Sequence, residues 1–63
     1  MTKSAHHGKY YAEAVLNGLI TKTDAIERMS VLTKNSFPSV FRAMLKAFSA
    51  TLKEGGYRET RAA

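Results

Sequence analysis

Sixty-three residues without a cysteine leave room for one domain and exclude disulfides and thiolate metal sites. A chain this short buries only about 60% of its unfolded surface, so close helix packing, self-association or a partner must make up the shortfall. Ten Lys and Arg against five Asp and Glu give a net charge of +5. That balance favours nucleic acid or an acidic protein surface as partner, although the cations are scattered and form no run.

Residues 1–8 are small and polar with no hydrophobic period, which predicts a disordered N-terminal arm. No apolar stretch follows Lys3, so no secretory signal is expected. Nor does any segment approach the roughly 20 apolar residues of a membrane span. With cysteine absent, a cytoplasmic protein is expected. His6 and His7 are adjacent but lack a third ligand at helical spacing, so they make a poor metal site. On a flexible arm they would also be poor general bases, because an imidazole must be held within reach of its substrate.

A first helix is predicted over 9–20. Tyr11, Ala12, Val15, Leu16 and Leu19 fall on one side at helical spacing. Ala14 and Gly18 are small and neighbour each other, and Gly18 inside the pattern costs about 1 kcal/mol relative to Ala. Tyr10 points away from the stripe beside Lys9, a candidate to stack on a base or anchor an interface.

The second helix is predicted over 24–34, with Thr23 or Asp24 as N-cap. Asp24 and Glu27 match a capping box and complement the positive helix start, which makes them structural rather than a catalytic carboxylate pair. Ala25, Ile26, Met29 and Leu32 share the inward face, with Thr33 at its edge. Glu27, Arg28 and Lys34 face out, and Val31 beside Arg28 suggests a contact patch. Lys34 and Asn35 suit a helix end.

Ser36-Phe37-Pro38 restarts the chain, with Phe37 expected to tuck toward Phe41 as a hydrophobic staple. The third helix, 38–54, carries the longest helical pattern. Phe41, Met44, Leu45, Phe48 and Leu52 fall within about 100°. Ser39, Ala43, Ala47 and Ala50 form a small-residue flank on which a neighbouring helix or a second copy can approach closely. Arg42, Lys46, Ser49 and Lys53 lie within about 60° and make one basic strip, and no acid occurs between Pro38 and Lys53. A helix with so little polar surface needs cover on more sides than two short neighbours supply. A second copy or a partner is therefore expected against it. Gly55-Gly56 stops the helix, and 55–63 is a short flexible tail bearing Arg58 and Arg61.

The chain therefore reads as all-α, a small three-helix domain over 9–54 between two tails. No Gly-rich phosphate loop, nucleophilic triad or metal-ligand spacing is present. No enzymatic activity and no cofactor are expected. The leading expectation is a non-catalytic helical protein that docks on another macromolecule through its third helix. By analogy it would be an adaptor or inhibitor of the kind phages and plasmids encode, and it is expected to form a homo-oligomer. The alternative is a small DNA-binding regulator, since the second and third helices resemble a helix-turn-helix in outline. Ser36, Ser39, Arg42 and Lys46 would then face phosphates and base edges, while Tyr10, Arg28, Val31 and Arg58 would supply secondary contacts.

Overall fold

The hydrophobic periods produce three α-helices and the local cap chemistry sets their limits: α1 Lys3–Leu16, α2 Lys22–Leu32 and α3 Pro38–Glu54. The computed structural model describes residues 3–58, with side chains from residue 5 onward. Residues 1–2 and 59–63, which fall in the two expected tails, lie outside the described residues.

The all-α, three-helix architecture is the one expected, but α1 is displaced toward the N-terminus. It begins at Lys3, inside the expected arm, and ends at Leu16 rather than at residue 20. Two glycines explain the shift. Gly8 is buried within the helix, where a Cβ would overlap the Met44 carbonyl and lie 3.1 Å from the Phe48 nitrogen. Its lack of a side chain lets α1 lie directly on the α3 backbone, and that packing outweighs a propensity cost of about 1 kcal/mol. Gly18, expected inside the helix, instead ends it. At φ 74° it occupies the left-handed position that only glycine takes without strain. The Gly18 N–H donates to the Val15 carbonyl (3.0 Å) and the Leu19 N–H to the Ala14 carbonyl (2.9 Å), the double bond of a Schellman cap. Leu19 falls outside the helix and is 75% exposed, contrary to its expected place in the stripe.

α2 also starts earlier than expected. Thr21, not Thr23 or Asp24, is the N-cap, and its hydroxyl accepts the Asp24 N–H at 3.0 Å. Asp24 stands in the first turn, where its carboxylate still complements the helix start. At the other end the buried Thr33 hydroxyl donates to the Met29 carbonyl at 2.8 Å. The Lys34 N–H then donates to the Val31 carbonyl at 3.2 Å, so the helical winding continues loosely as far as Lys34. Leu32, expected inward, is half exposed.

α3 has the bounds read from the sequence. Pro38 fixes its first turn, and Phe37 precedes it in extended geometry. Phe37 is 80% exposed and forms no staple, because Phe41 turns inward to the core. At the C-terminus Gly56 (φ 75°) closes a second Schellman cap. The Tyr57 N–H donates to the Leu52 carbonyl (3.0 Å) and the Gly56 N–H to the Lys53 carbonyl (3.1 Å). Tyr57 thereby folds back against the core, with the Lys22 Nζ 6.0 Å from its ring centre.

Gly8 meets α3 at Met44–Phe48, and Leu16 meets it at Gly55. The two helices therefore run parallel, with α2 returning between them in sequence and packing more sparsely on both. Ala12, Val15, Ala25, Met29, Met44, Phe48 and Leu52 make the buried core, and Tyr11, Leu16, Ile20, Ile26, Phe41 and Leu45 close around it. Within a single molecule Met44, Phe48 and Leu52 of the α3 stripe are buried and Phe41 and Leu45 are partly buried, and α1 already meets α3 at Gly8, ahead of the expected start at residue 9.

The outward face of α3 as a candidate functional site

With Met44, Phe48 and Leu52 turned inward, the helical period leaves one continuous outward face on α3. Arg42, Lys46, Ser49 and Lys53 are all exposed, and so are Ser39, Ala43 and Ala50. On a helical wheel the basic strip and the small-residue flank adjoin and together cover about 120°. Ala47, the remaining member of the small-residue flank, is half-buried. Nothing bulky stands on the flank, so a partner can approach the backbone closely beside three cations. From Arg42 to Lys53 the strip runs about 16 Å along the axis.

The absence of acids from residue 38 to residue 53 leaves this face with a single sign of charge. Lys and Arg can extend their heads toward solvent while their stems lie along the helix. Such a surface offers point charges to carboxylates or phosphates and, through Arg42, a planar donor fork. It presents no nucleophile paired with a base.

The expected secondary contacts do not gather around this strip. Arg28 and Val31 lie on α2, where they line an open groove of about 510 Å³ together with Tyr11, Asp24, Glu27 and Leu32. Val31 is 69% exposed. Tyr10 is 65% exposed on α1 and meets Tyr11 edge to face, with ring centres 5.5 Å apart and planes at 71°. Arg58 is exposed just beyond Tyr57. The groove was not legible as a site in the sequence. Its only advance sign was Val31 among charged neighbours, while Leu32 and Tyr11 looked like core.

His6 and His7 stand exposed on the first turns of α1 rather than on an arm. Among the described residues no group of three or more His, Asp or Glu side chains is placed to hold a metal. No described helix is long and apolar enough to cross a membrane. Set against protein-family models, curated proteins and solved structures, the chain matches none of them.

Proposed function

We propose that the chain is a non-catalytic binding protein that docks, through the outward face of α3, on an acidic surface of another protein. One observation carries this reading: Arg42, Lys46, Ser49 and Lys53 are exposed along a single strip that no acidic side chain interrupts. Because the apolar stripe of α3 is covered, attraction to the partner is electrostatic first, with the Ser39, Ala43 and Ala50 flank setting how closely the partner fits. Charge of this kind speeds encounter and selects the partner more than it adds affinity. An adaptor or inhibitor working in the reducing cytoplasm fits such a surface.

The same strip supports a second reading, a nucleic-acid-binding regulator, because phosphates are met by the same cations. Two features weigh against it. Pro38 removes a backbone donor from the start of α3, where phosphate is commonly gripped. Arg42 is also the only side chain of the strip with the fork that reads a guanine edge.

Capture from host extract on immobilised protein, with and without nuclease, separates the two. The protein-docking reading expects a discrete partner that is retained after nuclease and released by salt. The nucleic-acid reading expects the captured material to vanish on nuclease treatment. It also expects direct binding to duplex DNA whose logarithm falls with log salt at a slope of about −0.9 per neutralised phosphate. Nuclease-sensitive capture alone would overturn the first reading in favour of the second.

A further inference from the structure

The outward face of α2 has a different character from that of α3. Glu27, Val31 and Lys34 follow one another at i, i+4 and i+7 and are all exposed. Glu27 and Val31 lie within about 40° on the helical wheel, and Lys34 follows in the turn two residues past the helix end, where its N–H donates to the Val31 carbonyl at 3.2 Å. The stripe thus has an acid at one end, an apolar residue near the middle and a cation at the other end. Leu32, half exposed, lies toward the groove, and Phe37 is 80% exposed in the connection past the end of the helix.

We propose that this face binds a second copy of the chain, α2 against α2 and antiparallel, about a two-fold axis close to Val31. The argument is one of charge complementarity. A two-fold interface is built from a single patch that must complement itself, residue i meeting j and j meeting i. Glu27 and Lys34 flank the midpoint between Ser30 and Val31 at equal separation in sequence, Glu27 about 5 Å from it along the helix axis and Lys34 on its other side in the turn that follows α2. Rotation about that point brings Glu27 of each copy to Lys34 of the other and sets the two Val31 side chains together between the pairs. A parallel arrangement would instead set Glu27 on Glu27 and Lys34 on Lys34. The stripe therefore specifies direction as well as partner. The open groove that Glu27 and Val31 line together with Tyr11, Asp24, Arg28 and Leu32 gives the second helix a seat.

The contact is small. α2 has 11 residues and is about 16 Å long, so the pair buries less than a standard interface of about 800 Å² per partner. A weak, transient dimer follows. The α3 strips stay outside the contact and free for an acidic partner, so this dimer stands or falls separately from the docking reading.

Sedimentation equilibrium of the full chain tests the arrangement, with far-UV circular dichroism to confirm that each variant keeps its helices. The wild type should associate. Glu27→Lys and Lys34→Glu should each weaken self-association by roughly tenfold, since each reversal sets like charges together at two symmetric places. The double variant E27K/K34E should associate like the wild type, and an equimolar mixture of the two single variants should form a heterodimer. A wild type that is monomeric at millimolar concentration would overturn the proposal. So would single variants that associate as strongly as the wild type, or a double variant that fails to recover. Should a single variant lose its helices, Val31→Ser tests the same axis, and association unchanged by it would be equally fatal.

Discussion

Gly8 sets how closely α1 can approach α3. A Cβ at this position would run into the Met44 carbonyl, which is backbone and cannot step aside. Gly8→Ala is therefore expected to destabilise the fold by about 1–3 kcal/mol despite the better helix propensity of alanine. A urea titration read by helicity checks this, and a stabilised variant would contradict the packing described. Gly18 answers to a different constraint. It has open space around it but a left-handed backbone, so Gly18→Ala should cost about 1–2 kcal/mol through conformation alone. Removing the α2 cap by Thr21→Ala should cost about 1 kcal/mol. On sequence alone Gly8 fell at the end of the expected arm, and Gly18 read as a weak point inside the first helix. Only the α3 backbone beside one of them, and the missing helix beyond the other, shows what each does.

Among the elements, α3 was fully legible because both of its ends carry strong local signals, Pro38 at the start and Gly55-Gly56 at the stop. α1 was not. Its first turns have no acidic residue to favour a helix start, and their polar composition reads as a tail. What makes them helical is tertiary: Gly8 lies against the α3 backbone at Met44 and Phe48, a contact no local signal encodes. The consequence is measurable. Deleting residues 1–8 would leave helicity intact if they were an arm. Because residues 3–8 are the first part of α1 and bring Gly8 onto α3, the deletion should abolish cooperative thermal unfolding. Phe48→Ala, which empties the centre of the same contact, should cost about 3–5 kcal/mol. That is comparable to the whole stability of a domain this small.

For the molecule as a whole, covering the α3 stripe changes what remains outside. The basic strip was readable from spacing alone, since charged residues on a long amphipathic helix face out whatever the neighbours do. The apolar surface that stays exposed was readable only in part. Among the described residues it includes Tyr10, Leu19, Val31, Leu32 and Phe37; Tyr10 and Val31 already read as outward, whereas the exposure of Leu19 and Leu32 depends on where α1 ends and how sparsely α2 packs. The molecule thus presents two separate surfaces, a cationic one on α3 and a self-complementary one on α2. Its net charge of +5 raises the encounter rate with any acidic partner at low salt.

The account's central claim is that the outward face of α3 is the docking surface, and a titration of the captured partner against two folded variants tests it most directly. Arg42→Glu combined with Lys46→Glu should weaken binding at least about a hundredfold, equivalent to about 2.7 kcal/mol. Glu27→Lys, on α2, should leave the affinity within about twofold of wild type, as expected for a site outside the contact. Equal affinity for wild type and the α3 variant, with helicity preserved, would contradict the claim.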